Sequence, residues 1–149
     1  MTAPVQRPQA IGIDHLGLSV TDLDITTTFY CDLLGAQVLF PAHDAGSFRR
    51  VVITIGSSMI DLNEFRANDG TRFDATRAGL DHLALIAPSR ELLDDWAHWL
   101  DANDIERSTI RELRPPIVGA IFDFVDPDGI QLEFSYFSDS DKPFPRSHT

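Results

Sequence analysis

Gly12-Ile13-Asp14-His15-Leu16-Gly17-Leu18 returns as Gly79-Leu80-Asp81-His82-Leu83-Ala84-Leu85, 67 positions later when counted from His15 to His82. A repeat at nearly half the chain length means that one supersecondary unit occurs twice. Around the first copy, residues 11–20 alternate. Ile13, His15, Gly17 and Ser19 fall on one face, and Asp14, Leu16, Leu18 and Val20 on the other. That period of two predicts a strand. Thr21 or Asp22 can then cap a helix whose stripe is Leu23, Phe29, Tyr30, Leu33 and Leu34, with Gly35 as its stop. Strands are expected at 36–40, 48–55 and 58–65, with a loop over Pro41–Ser47.

The second copy predicts the same order. A strand at 80–87 precedes a helix capped by Ser89 and striped by Leu92, Leu93, Trp96, Trp99 and Leu100. Strands near 105–111, at 119–125 and at 130–137 follow, the last two joined by the turn signal Asp126-Pro127-Asp128-Gly129. The chain therefore reads as a single α+β domain of two βαβββ modules. Module 1 is about 11–66, a linker about 67–78, module 2 about 79–137, and a loose tail 138–149. With helices on one side of each sheet only, the opposite side is free to be polar. Asp61 and Asn63 alternate with Ile60 and Leu62, and Gln131, Glu133 and Ser135 alternate with Leu132 and Phe134.

Bulk properties narrow the function. The chain has 149 residues, 43% hydrophobic and 23% charged, the composition of an ordinary globular protein. No apolar run reaches the roughly 20 residues of a membrane span, and Met1–Ala10 has no apolar core of a secretory signal. Cys31 is the only cysteine, which excludes an internal disulfide and fits the cytoplasm. A net charge of −11 argues against nucleic acid or an anionic membrane as partner, since both need a basic face, and otherwise serves solubility. The only lysine is Lys142, in the tail.

The repeat singles out four residues. Each module has a histidine at its first strand and an acid on its last: His15 with Asp61, and His82 with Glu133. Two imidazoles and two carboxylates suit one divalent ion, Fe, Mn, Ni, Zn or Co, with room for substrate or water. Unpaired burial of such acids would be costly, which also favours a cation between them. His43, in a predicted loop, His98, on the second helix, and His148, in the tail, are explained as solvated side chains. Arg49 or Arg50 on the third strand, and Arg111 or Arg114 near Pro115-Pro116, are candidates to meet an anionic substrate group, though ordinary surface roles explain each as well.

The run from Ile13 to Leu23, the segment Phe29-Tyr30-Cys31-Asp32-Leu33-Leu34-Gly35 and the close Phe124–Phe134 resemble the vicinal oxygen chelate superfamily. That superfamily includes glyoxalase I, extradiol dioxygenases, fosfomycin-resistance proteins and bleomycin-binding proteins. The resemblance implies a cupped, mixed-sheet barrel around one metal that chelates two oxygens of a small-molecule substrate. It implies metal ligation by His15, Asp61, His82 and Glu133, with Glu133 or Asp61 moving a proton and Asp123 as a further candidate base. Asp61 stands where Glu or Gln is usual. A glyoxalase I-like lyase or isomerase is expected first. A non-haem Fe(II) dioxygenase using His15, His82 and Glu133, and a metal-free binding protein, are the alternatives. The extradiol pattern is weakened by Asp123 standing at its tyrosine position, and the fosfomycin pattern by the lack of arginine after Glu133. Pairing of the modules within one chain or across a homodimer is left open, with a homodimer expected.

Overall fold

The computed structural model describes Arg7, Ala10 and residues 12–138; the tail with Lys142 and His148 lies outside the described residues. The chain divides into two compact units at Asn68/Asp69. In the first, β1 (His15–Ser19), α1 (Leu23–Thr28), β2 (Gln37–Asp44), β3 (Phe48–Ile55) and β4 (Ser58–Phe65) build one four-stranded sheet in the order β1-β4-β3-β2. In the second, β5 (Leu83–Ile86), α2 (Arg90–Ala102), β6 (Arg111–Leu113), β7 (Gly119–Val125) and β8 (Gln131–Phe137) repeat it as β5-β8-β7-β6. In each, the first and last strands are parallel and the others antiparallel. The crossover helix explains this, because a parallel return needs a connection long enough to span the sheet. The two βαβββ modules are as the repeat predicts. Each is an open four-stranded mixed sheet and neither closes on itself as a barrel.

The local signals act as expected at the helix starts. Asp22 accepts the backbone N–H of Asp24 and Ile25 at 3.0 and 2.9 Å, and the Ser89 hydroxyl accepts that of Leu92 at 3.2 Å. The first helix then departs from a uniform stripe. It passes at Phe29–Leu33 into a π-helical turn that buries Tyr30 completely, and Gly35 ends it at φ 72°. In the second helix the buried residues are Leu93, Ala97 and Leu100, whereas Leu92 and Trp99 are exposed. Small Ala97 lets the helix approach the sheet, and Trp96 contributes by stacking on Phe134 at 4.5 Å. Two further expectations fail. Residues 41–44 are strand, not loop, so His43 pairs opposite Arg50 in β2 after bulges between Val38 and His43. The strand expected near 105–111 begins only at Arg111, with Arg107 making an isolated bridge to Phe124. Bulges and short edge pairings answer to partner strands rather than to local periodicity.

The cores lie between each sheet and its helix. Leu18, Val20, Leu23, Tyr30, Ile53, Ile60 and Leu62 fill the first, and Leu93, Leu100, Phe122, Phe124, Leu132 and Phe134 the second. Gly119 opens β7, where a Cβ would stand 2.1 Å from the Tyr136 carbonyl oxygen, so this proline-flanked segment is anchored at its end by close backbone approach. Among the described residues, no helix is long and apolar enough to cross a membrane.

Candidate metal half-sites

Strand register places the four repeat residues on the sheet faces away from the helices. Gly17 pairs with Asp61 across β1–β4, and Ala84 with Glu133 across β5–β8. His15 and His82 each stand two residues before those partners, hence on the same face. The duplicated sequence therefore yields duplicated geometry.

Each imidazole is held by the aspartate before it. His15 Nδ1–H donates to Asp14 at 2.8 Å, and His82 Nδ1–H to Asp81 at 2.6 Å. Both contacts raise the imidazole pKa above its ordinary value and are the largest cause of that rise. They also commit Nδ1 and leave Nε2 as the donor atom for a metal, the arrangement by which outer carboxylates orient ligating histidines.

The acids differ. Asp61 is buried, and its Oδ2 meets Arg50 Nη1 at 3.3 Å and lies 4.0 Å from His15 Nε2. Arg50 is two residue pairs along from Asp61, opposite Asn63, and its Nε donates to the Asn63 side-chain oxygen at 2.6 Å. Asp61 and Asn63 were expected on a polar, helix-free face, which leaves open whether water reaches them. They are buried, and Arg50 meets both of them. Glu133 is half-buried and has Asp123 directly opposite across β7–β8. Burial pushes the Glu133 carboxyl above its ordinary value, Asp123 adds to the rise, and His82 and Arg111 oppose it. Arg111 Nη2 donates to Asp123 at 2.7 Å.

The described residues thus bring His15 within 4.0 Å of Asp61, and place His82 where the charges of Glu133 and Asp123 act on it. Among them, no group of three or more His, Cys, Asp and Glu side chains converges as a metal site. Each half-site supplies one imidazole nitrogen and one carboxylate, a donor set that fits a borderline or hard divalent ion and falls short of the three or four protein ligands such ions take. Of the other arginines considered, Arg49 is spent on Glu64 at 3.0 Å and Asp24 at 3.1 Å, tying β3 to β4 and α1. Arg114 is exposed.

Sequence reasoning overlooked Asn63 and the positioning role of Asp14 and Asp81. The signal for Asn63 was present. The two-residue connection Gly56-Ser57 sets Ile55 against Ser58, and counting back along the hairpin puts Arg50 against Asn63.

Comparison with known proteins agrees with this geometry. Residues 12–134 match the family model of the Glyoxalase/Bleomycin resistance protein/Dioxygenase superfamily. Uncharacterized protein YwkD of Bacillus subtilis is 32% identical over 124 residues, 81% of this chain and 93% of that protein. Metallothiol transferase FosB of Staphylococcus haemolyticus is 26% identical over 122 residues, 82% of this chain and 81% of that protein. The crystal structure of a glyoxylase/bleomycin resistance protein/dioxygenase domain from Frankia sp. EAN1pec superimposes with a TM-score of 0.78 at 30% identity, covering 87% of this chain and all of that one. A family match across both repeats, together with the twice-built His–acid face, places the chain in the glyoxalase/bleomycin resistance protein/dioxygenase superfamily.

Proposed function

We propose that the protein is a divalent-metal-dependent enzyme that acts on a small molecule through two neighbouring oxygens, by proton transfer beside a carbonyl as in glyoxalase I. The observation that carries this reading is the twofold occurrence of an Nδ1-anchored histidine beside an acid. His15 and His82 present Nε2, Glu133 supplies a carboxylate, and Asp61 is the remaining acid of the set. Since each module has only half a ligand set, the halves combine within one chain or between the chains of a homodimer. A bound divalent ion supplies Lewis-acid stabilisation of negative charge on substrate oxygen.

The chain's own groups would then do the rest. Glu133 has its proton affinity raised by burial and by Asp123, which suits a carboxylate that takes a proton from carbon and returns it. Asp14 and Asp81 hold the imidazoles in one tautomer. Val52 and Ile121, on the same faces as the acids by strand pairing, make those faces partly apolar and help exclude water.

The engagement of Asp61 by Arg50 favours one second reading. With Asp61 occupied, His15, His82 and Glu133 form the two-histidine, one-carboxylate set of non-haem Fe(II) oxygenases. Metal analysis of freshly purified protein, followed by assay with glutathione hemithioacetals, with catechols under oxygen electrode, and for thiol transfer as the staphylococcal relative's name suggests, tests both. Hemithioacetal turnover supports the first reading, and oxygen uptake with iron the second. Protein that binds no divalent ion and loses no ligand affinity to chelator would instead be a binding protein.

A further inference from the structure

Arg50 is held in place by three contacts. Its Nε donates to Asn63 at 2.6 Å, its Nη1 meets Asp61 at 3.3 Å, and its guanidinium lies over the Phe48 ring, 4.9 Å from the centroid. These three contacts fix the plane and rotation of the fork. Among the described residues none meets Nη2, and about a third of the side chain is exposed (34%). The Asp61 oxygen in the ion pair with Arg50 is also the one 4.0 Å from His15 Nε2. The free edge of the guanidinium therefore lies in the neighbourhood of whatever His15 holds.

We propose that Arg50 is the substrate's carboxylate-binding residue, and that Asp61 serves as its anchor and not as a ligand of the metal. This rests on the metal-site reading above and names the substrate class for it: a compound whose chelating oxygens adjoin a carboxylate. The chemistry selects that group. With Nε and Nη1 engaged, Nη2 is left to donate to a carboxylate oxygen. A phosphonate or phosphate dianion calls for more positive charge than this face offers. Asp61 already balances part of the Arg50 charge, Arg49 points to the opposite face and is paired twice, and Arg66 is paired with Asp44. Anchoring also accounts for a buried aspartate in a position where a longer acid would reach further. Asp61 finds its counter-charge on the neighbouring strand, which removes the cost of an unpaired buried carboxylate.

The test uses the full chain loaded with Mn(II), whose stoichiometry is read by electron paramagnetic resonance. Two chelators are compared: oxalate, which turns carboxylate oxygens outward from the metal, and acetohydroxamate, which does not. Arg50→Gln is expected to keep wild-type Mn(II) stoichiometry, to weaken oxalate by about tenfold or more, and to leave acetohydroxamate unchanged. Arg50→Lys should recover part of the oxalate affinity, and Asp61→Asn should retain Mn(II) in full. If Arg50→Gln does not fold because Asp61 is left unpaired, the double variant Arg50→Gln/Asp61→Asn removes both charges and gives the same comparison. Loss of Mn(II) in Asp61→Asn overturns the inference, as does unchanged oxalate affinity or an equal loss for both chelators in the Arg50 variants. In those cases the metal reading stands. Wild-type protein that takes up no Mn(II) overturns that reading and this inference with it.

Discussion

The two modules share strand order, helix position and histidine placement, yet they surround their acids differently. In the first, the residue opposite the acid is Val52, and Arg50, two positions along β3, reaches diagonally to Asp61. In the second, Asp123 takes the place of Val52 and Ile121 that of Arg50. An arginine on the next strand, Arg111, donates to Asp123. One acid has a cation for its neighbour and the other has an acid. The exchange of two side chains on a shared lattice thus gives the two acids different surroundings, and for Glu133 burial first, then Asp123, favours the protonated form. A duplicated fold supplies equivalent positions, and the residues beside them make the positions inequivalent. The cores differ too. The first is mainly aliphatic around Tyr30, while the second is a cluster of Phe122, Phe124, Phe134 and Trp96 with centroid separations of 4.5 to 6.3 Å.

The largest effect is expected from removing an imidazole. His82→Ala should weaken divalent-metal binding by more than about a hundredfold while leaving the circular dichroism spectrum unchanged, because loss of a ligand exceeds the loss of an outer-shell partner. His15→Ala should match it, and full metal content in either variant would break the equivalence of the half-sites. Phe134→Ala should cost about 3–5 kcal/mol, measured by urea unfolding, because it opens the aromatic cluster of the second module.

A pH series on chelator-treated protein sharpens the contrast between the acids. The Glu133 carboxyl has a raised pKa in the folded chain, so the native state binds more protons than the unfolded one from its ordinary value of 4.5 upward. Its contribution is fully present below that pH and is lost as pH rises through the raised value. Glu133→Gln should therefore gain stability relative to wild type as pH rises through that window, with the difference constant below it. A flat difference would assign the Glu133 environment to solvent. The smallest effect is expected at the helix caps. Asp22→Ala and Ser89→Ala should each lower stability by about 1 kcal/mol, and a much larger loss at one would show that its helix also depends on the cap for docking.

Much of this was legible in the chain. The repeat, the alternation in β1, β4 and β8, the caps Asp22 and Ser89 and the Asp126–Gly129 turn are local patterns, and local patterns write element type directly into sequence. The histidine and acid of each half were legible as well, because a residue kept on one face of a strand needs only parity to be placed. The edges were not. Residues 41–44 extend β2 and β6 starts at Arg111, because a neighbouring strand decides where pairing continues. The faces of α2 were misjudged for a related reason: Ala97 is buried and Trp99 exposed because helix–sheet spacing favours the small residue at the contact.

By itself the sequence determined two βαβββ units and which side chains occupy their helix-free faces, since both follow from periodicity and from short turns. Only the tertiary structure decided what those side chains meet across the sheet: that Arg50 reaches Asp61, and that Asp123 stands against Glu133. The physical reason is range. Parity and capping act within a few residues, whereas the charge felt by a carboxylate depends on groups brought near it by register and by the reach of long side chains from neighbouring strands.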